Sequence, residues 1–267
     1  MKLESLNETI FENIKNSNGK FTKHFHDTYT IGLTHDGLFK SINQNKTNVS
    51  YKNSTRIINP GEVHYGDSNS WKYTNFYPSM QLISEIYEQI FFEKKIPVFK
   101  DHIIEDQKLY NLLYSFFYTA YKNEDKMLME TNLIIALSYL IKNYTSQTKI
   151  YKALFDDKTI IKDSIEYIQD SLDTNISLDE LAINLNISKY HYLRVFKSHT
   201  GITPHQYILN KRIQKAKELI LKGTPLNEIA IEVGFSDQSH FIRSFKKIYG
   251  YLPKELKEKS NFILYHS

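Results

Sequence analysis

The residues with the most evident chemical capacity in the first third of the chain are three histidines. His24 and His26 stand two apart in His-Phe-His-Asp-Thr-Tyr, and His64 follows the turn signal Asn59-Pro60-Gly61. Side chains alternate along a strand, so His24 and His26 face one side, and the turn brings His64 onto another strand. Tyr29, Tyr65, Trp71 and Tyr73 lie in the same region. Apolar walls with a few convergent polar groups are what a small-molecule pocket requires. The expected pocket is therefore His24, His26, Tyr29, His64, Tyr65, Trp71 and Tyr73. No metal ligand, catalytic residue or cofactor is assigned to it, and part of the set is expected to be ordinary core.

A second constellation lies near the other end. Leu178–Pro204 and Leu226–Pro253 repeat one another. Ala182 pairs with Ala230; after a one-residue insertion, Arg194, Phe196, Lys197, Gly201 and Pro204 pair with Arg243, Phe245, Lys246, Gly250 and Pro253. Four residues after each alanine stands Asn186 or Gly234, residue types that enter the left-handed conformation a sharp helix corner needs. Ser188 and Ser236 follow as candidate N-caps. Each copy thus reads as a helix-turn-helix whose second helix can enter a DNA major groove. The inward stripes would be Tyr192, Val195 and Phe196 in one copy, and Phe241, Ser244, Phe245 and Ile248 in the other. That leaves Lys189, Tyr190, Leu193, Arg194 and Lys197, and Gln238, Ser239, Arg243, Lys246 and Lys247, as candidate DNA contacts. Arginine suits guanine and glutamine suits adenine, whereas lysine more often meets phosphate.

The elements that would hold these residues differ along the chain. Residues 20–78 alternate over short runs, with turn signals at Gly32, Gly37, Pro60-Gly61 and Gly66, and predict several short strands in a small barrel or sandwich. Residues 81–95 and 106–145 have helical periodicity, carried by Leu109, Leu112, Leu113, Phe116 and Phe117, and by Leu133, Leu137 and Leu140. These apolar helices would pack on the strands or pair two subunits. Residues 156–159 read as a linker. Short helices follow, with capping boxes at Ser177–Glu180 and Thr203–Gln206, and with Pro204 and Pro225 expected at first helical positions.

Composition bounds the reading. The 267 residues suggest two domains. The absence of cysteine excludes disulfides, thiolate metal sites and a cysteine nucleophile. The longest uncharged stretch in the middle of the chain, Leu109–Tyr121, is 13 residues, too short for a bilayer span of about 20. With no apolar leader in the first residues, a cytoplasmic location and no membrane partner are expected. Residues 159–267 carry 15 Lys/Arg against 12 Asp/Glu, a mild excess that decides nothing by itself. No serine–histidine–aspartate arrangement, phosphate-cradling loop or His-Glu-x-x-His motif is present.

Residues 160–257 resemble the DNA-binding domain of the arabinose-regulator (AraC/XylS) family of bacterial transcription factors. The strings that carry the resemblance are Gly234-Phe-Ser-Asp-Gln-Ser-His-Phe241 and Arg212-Ile-Gln-Lys-Ala-Lys-Glu-Leu219. Leu252 departs from the serine or threonine the family usually places before this proline. The resemblance implies an α+β protein of two domains. Residues 1–157 would be a cupin-like effector-binding and dimerisation domain, with a barrel at about 10–80 and helices at about 81–145. Residues 158–267 would hold two helix-turn-helix units, 178–199 and 226–248, joined by a helix at 204–221. By position, Tyr190, Leu193 and Arg194, and Gln238, Ser239 and Arg243, correspond to the family's base-reading residues.

The His24, His26 and His64 region also resembles the family's cupin-like sensor. Metal-bearing cupins place a glutamate four or five residues after the second histidine, where this chain has Thr30 and Ile31. The implied function is a non-enzymatic, sequence-specific regulator. Its partners would be promoter DNA, a small-molecule effector, a second copy of the chain and, as a further candidate, RNA polymerase. The alternatives are a metal-dependent cupin enzyme or metal sensor fused to a DNA-binding domain, and a DNA-binding protein whose barrel only dimerises.

Overall fold

A computed structural model describes residues 10–43, 46–122, 126–150 and 159–259. The N-terminal half opens with β1 (Ile10–His24), β2 (Thr30–Asn43), β3 (Lys46–Ser50), β4 (Thr55–Ile58) and β5 (His64–Tyr77). It continues with α1 (Met80–Phe91), β6 (Pro97–Phe99), β7 (Ile103–Ile104), α2 (Gln107–Lys122), α3 (Lys126–Tyr144) and β8 (Thr145–Ile150). The six-stranded antiparallel sheet has the order β1-β5-β2-β4-β7, with β3 on β2; β6 and β8 form a separate pair. Among the described residues β1 and β7 are edges, so backbone pairing does not close a barrel.

The short strands expected from the sequence are present as β3 and β4, of 5 and 4 residues, but β1, β2 and β5 are long, of 15, 14 and 14 residues. Register shifts after Ile14, Ser17, Phe21, Thr34 and Asp36 interrupt the alternation, so one long bulged strand reads as several short strands. Gly32 and Gly66 lie inside β2 and β5 rather than in turns. The helical stretch expected at 81–95 ends earlier, at Phe91, where Phe92 adopts the left-handed conformation.

The C-terminal half is helical: α4 (Thr159–Asp170), α5 (Leu178–Ile183), α6 (Lys189–Thr200), α7 (Pro204–Lys222), α8 (Leu226–Glu232), α9 (Gln238–Tyr249) and α10 (Pro253–Lys259). Both expected capping boxes form, at Ser177 with Glu180 and at Thr203 with Gln206. Pro204 takes the first position of α7. Pro225 is the N-cap of α8 rather than its first residue, and caps no N–H with a side chain. Ser188 caps α6, but Asp237, not Ser236, caps α9 by accepting from the His240 N–H at 2.6 Å. The carboxylate is the better acceptor for an exposed helix start, because the macrodipole favours negative charge there. Residues 156–158 of the expected linker lie outside the described residues.

The sheet has two apolar faces with different covers. Phe11, Phe76, Ile31 and Ile57 align across β1, β5, β2 and β4 and pack with Leu109, Leu113, Phe116, Leu133, Leu137 and Leu140 of the N-terminal helices. On the opposite face Ile14, Phe39, Trp71 and Tyr73 join Phe21 in a cluster with Ile213, Ala216 and Ile220 of α7, Phe241 and Phe245 of α9, and Tyr251. A third cluster packs Phe25 with Ile165, Tyr192, Phe196 and Tyr207. Two of the three cores are therefore built from both halves of the chain.

Candidate functional site

The two helix-turn-helix corners are built alike. The Ala182 carbonyl accepts from the Ile187 N–H at 3.1 Å, and the Ala230 carbonyl from Phe235 at 2.9 Å. The corner residues are left-handed, Asn186 at φ 53° and Gly234 at φ 80°. At Gly234 a Cβ would also stand 2.5 Å from the Leu172 carbonyl and 2.9 Å from the Arg212 guanidinium. Arg212 donates to the Leu172 and Thr174 carbonyls at 2.8 and 2.6 Å, tying α7 to the end of α4 at this corner.

Tyr192 and Phe196 of α6, and Phe241, Ser244, Phe245 and Ile248 of α9, are buried. Lys189, Arg194, Lys197, Gln238, Ser239, Arg243, Lys246 and Lys247 are exposed. Leu193 is half-buried, and the side chain of Tyr190 lies outside the described residues. Lys189 is held by Asp179 at 2.8 Å. The exposed Asp237 carboxyl is held below its ordinary value, chiefly by the His240 N–H it accepts. The 19 residues of α7 span about 28 Å and join the two helix-turn-helix units.

The pocket expected from the sequence is not one cluster. Tyr29 is fully buried on the face covered by α1–α3, and its hydroxyl donates to the Pro97 carbonyl. Tyr65 is half-buried, with the Lys23 ammonium 5.3 Å from its ring. Trp71 stacks between Phe39 at 4.2 Å and Tyr73 at 3.8 Å, and its indole N–H donates to Thr34 Oγ1. The three histidines do converge, with ring centres 4.2 Å apart for His24 and His64, 5.1 Å for His24 and His26, and 5.3 Å for His26 and His64. Burial holds all three rings deprotonated: His24 falls to about 4, and His26 and His64 fall well below the ordinary value.

Residues that sequence reasoning did not single out complete this face. Glu12, Asn75, Gly32 and Arg56 lie in one row across β1, β5, β2 and β4. A Cβ at Gly32 would stand 2.2 Å from Asn75 Oδ1, so the missing side chain is the space through which Asn75 reaches Arg56. There Arg56 Nη2 donates to Asn75 Oδ1 at 3.0 Å. Asn75 donates to the Tyr77 hydroxyl at 3.1 Å, and Tyr77 donates to Glu12 at 2.7 Å. From the C-terminal half, Tyr251 donates to Glu12 at 2.7 Å, and Lys217 of α7 forms an ion pair with it. Burial pushes the Glu12 carboxyl up, but the Lys217 charge and the hydrogen bonds from Lys217, Tyr251 and Tyr77 outweigh it and hold the pKa below its ordinary value.

Lys217 also sits 4.3 and 4.6 Å from the Tyr77 and Tyr249 rings. The Arg56 guanidinium is buried over Phe39 and Trp71, and its Nε has no hydrogen-bond partner among the described residues. Outside the network Lys211 pairs with Asp27 at 2.6 Å, and Gln214 donates to the Phe25 carbonyl at 2.8 Å. One signal for Arg56 was present in the sequence, a lone cation inside the apolar run Thr-Arg-Ile-Ile. Nothing comparable marked Glu12, whose ionic partner is 205 residues away.

A family model described as AraC-like ligand binding domain matches residues 14–137, and one described as helix-turn-helix domain matches residues 181–259. The chain is 27% identical over 226 residues to the HTH-type transcriptional regulator YbfI of Bacillus subtilis, an alignment covering 83% of this chain and 81% of that protein. It is 34% identical over 115 residues to the transposon Tn10 TetD protein of Escherichia coli, covering 41% of this chain and 83% of TetD. The fold is similar to that of apo ToxT, a single-substitution variant from Vibrio cholerae, with TM-score 0.65 and 16% identity over 94% of this chain and 97% of ToxT. A ToxT structure with bound unsaturated fatty acid gives TM-score 0.62 at 15% identity over 95% and 96%.

Proposed function

Because this chain belongs to the AraC family of DNA-binding transcriptional regulators, we propose that its effector is a carboxylic acid with an apolar body that binds the sheet face under α7. The carrying observation is charge. Of two buried cations, Lys217 pairs with Glu12 directly, whereas Arg56 reaches that carboxylate only through Asn75 and Tyr77 and keeps an unpartnered Nε beside the Phe39–Trp71–Tyr73 stack. A buried guanidinium without a carboxylate is costly, and a bidentate anion relieves that cost. The fatty acid bound by ToxT is of the same class. An acid bound at Arg56 competes with Glu12 for the local cations. It thereby biases the contact between the sheet and α7, which carries both reading heads. Trp71 and Tyr73 would serve as apolar wall and His24, His26 and His64 as polar rim; Tyr29 and Tyr65 stand outside the proposed pocket.

In this reading residues 1–157 form the effector-binding part and 158–267 the DNA-binding part. Arg194, Gln238, Ser239 and Arg243 contact bases, helped by Tyr190 and Leu193. Lys189, Lys197, Lys246 and Lys247 contact phosphate. The protein acts in the cytoplasm by binding, not catalysis. It pairs with a second copy through α2 and α3, where Tyr114, Tyr118, Met127 and Ile135 are exposed. RNA polymerase would be engaged only once the dimer is on promoter DNA.

The test is thermal unfolding of the full chain against fatty and aromatic carboxylic acids and their amides. A ligand at about 100 times its Kd stabilises by about 2.7 kcal/mol. The expected result is a raised midpoint with an acid, little with its amide, and loss of the effect in Arg56→Met. Equal shifts from acid and amide, or an undiminished shift in Arg56→Met, would refute the reading.

A further inference from the structure

The second reading helix is longer than the groove it would enter is wide. α9 has 12 residues and a length of about 18 Å, whereas a B-DNA major groove is about 12 Å across. Gln238, Ser239 and Arg243 lie in the first half of α9, so its last turn stands at the groove's edge, beside the phosphates. Lys246 and Lys247 follow Arg243 by one turn, share its side of the helix, and are exposed.

That last turn abuts the N-terminal half. The final carbonyls of a helix have no partner inside it. Here the Lys246 carbonyl accepts from the Gly250 N–H, and the Lys247 carbonyl accepts from the Thr22 hydroxyl at 3.2 Å. A Cβ at Gly250 would stand 2.7 Å from Phe21 Cε1, so β1 and the end of α9 are in close contact. The cause is a bulge in β1. Phe21 pairs with Gly66 and His24 with His64, so Thr22 and Lys23 together oppose the single residue Tyr65. Thr22 turns to α9, and Lys23 lies over the Tyr65 ring, its ammonium 5.3 Å from the centre.

Lys23 begins a basic row on the sheet. Lys20 and Lys40 flank Asp67 across β1, β5 and β2, on one face and about 10 Å apart. All three lysines are exposed. The helices α1–α3 pack on this face at the other end of the strands, over Phe11, Phe76 and Ile31.

We propose that Lys23, extended by Lys20 and Lys40, forms with Lys246 and Lys247 one surface for the DNA phosphate strand at the edge of the second reading groove, so that the effector-binding half itself touches DNA. The inference rests on the reading of α9 as a DNA-contacting helix. Its surface continues that interface across the contact between Thr22 and Lys247. A helix C-terminus carries a charge of about −0.5, which repels phosphate; the Thr22 cap and the neighbouring lysines offset it. The contact exists only while β1 and α9 are joined. An effector that parts them removes phosphate contacts and weakens every DNA sequence alike.

The experiment measures the affinity of the full chain for a mixed-sequence duplex of about 30 base pairs between about 50 and 300 mM KCl. Lys23→Gln should lower the slope of log K on log salt by about 0.9 and the affinity at about 0.1 M KCl by about eightfold, the worth of one phosphate contact. Its thermal midpoint should stay unchanged, and Lys23→Arg should keep the wild-type slope. Lys247→Ala should lower the slope as Lys23→Gln does. Lys72→Gln, further along β5 and paired with Asp36, should leave it unchanged. A lowered slope in Lys247→Ala with a wild-type slope in Lys23→Gln would overturn this inference and leave the reading of α9 intact. Wild-type slopes in both would overturn the two together. An equal loss in Lys72→Gln would reduce the effect to net charge and overturn the inference as well.

Discussion

The buried pair Glu12–Lys217 allows the coupling between the two halves to be measured. Glu12 is 1% exposed and Lys217 5%. Removing one member of a buried pair leaves the other charge uncompensated, at roughly 3–5 kcal/mol. Lys217→Met should sit at the upper end, since Glu12 keeps only the Tyr77 and Tyr251 hydroxyls. Glu12→Gln should sit at the lower end, because the Tyr77 and Tyr249 rings still face the ammonium, a contact of about 2 kcal/mol when desolvated. The double variant removes both charges and should cost roughly 1–2 kcal/mol, giving a coupling of at least about 3 kcal/mol.

Urea unfolding of the four full-length proteins at pH 7 completes the cycle. Acid gives an independent arm. The folded Glu12 carboxyl lies below its unfolded value, so its contribution is fully present above about pH 4.5 and is lost as pH falls through the folded value. In Lys217→Met burial dominates and raises the folded carboxyl. The sign then reverses, and stability drops as pH rises past the ordinary carboxylate value. Single-variant costs that add to within about 0.5 kcal/mol, or an unchanged acid slope in Lys217→Met, would refute the idea that this pair joins the halves.

Three further outcomes follow from the geometry. Gly32→Ala should displace Asn75 from Arg56 and destabilise by roughly 1–3 kcal/mol, read by thermal unfolding, because its Cβ would meet Asn75 Oδ1 at 2.2 Å. Gly234→Ala should cost roughly 1–3 kcal/mol and weaken DNA binding, since φ is 80° and the Leu172 carbonyl blocks the Cβ, whereas Asn186→Gly, at φ 53°, should be near neutral. Arg243→Ala should cost about 1–3 kcal/mol on operator DNA and relax preference at one base pair, while Lys247→Ala should weaken all sequences alike and reduce the salt slope by about 1; titrations over single-base variants separate the two.

The parts legible in the sequence are those specified by neighbours in the chain. Two capping boxes, the Asn186 and Gly234 corners and the buried Phe196 and Phe245 all depend on residues within a few positions, and the repeat presents them twice. The convergence of His24, His26 and His64 was legible, but its reason only in part: His24 and His64 pair at the ends of β1 and β5, whereas His26 lies in the loop beyond β1, where strand alternation does not place it. The α9 cap was misplaced by one residue because Ser236 and Asp237 are both good caps, and only the φ of each decides. The long strands were hidden by bulges. The row Glu12–Asn75–Gly32–Arg56 was invisible because it exists only when four strands are in register, and Lys217 arrives from the other half of the chain. Tyr29 was misassigned because it precedes β2 in the loop from β1, where alternation gives no face, and its ring enters the core under α1–α3.

The shared cores bear on how such a regulator can switch. Ile14, Phe39, Trp71 and Tyr73 are covered by residues of α7 and α9, so the DNA-binding half acts as one wall of the sheet's own core. An apolar seam alone would hold the two halves tightly and give a ligand little to alter. This seam instead places Arg56, Glu12 and Lys217 beside the aromatic stack, and buried ion pairs contribute little net stability relative to apolar packing. What they provide is a contact whose strength depends on local charge. An added carboxylate changes that charge by one unit at a place where α7 and Tyr251 are held by the same oxygen, Glu12 Oε1. A ligand with different affinity for the clasped and unclasped arrangements must then shift their populations, and with them the placement of both reading helices.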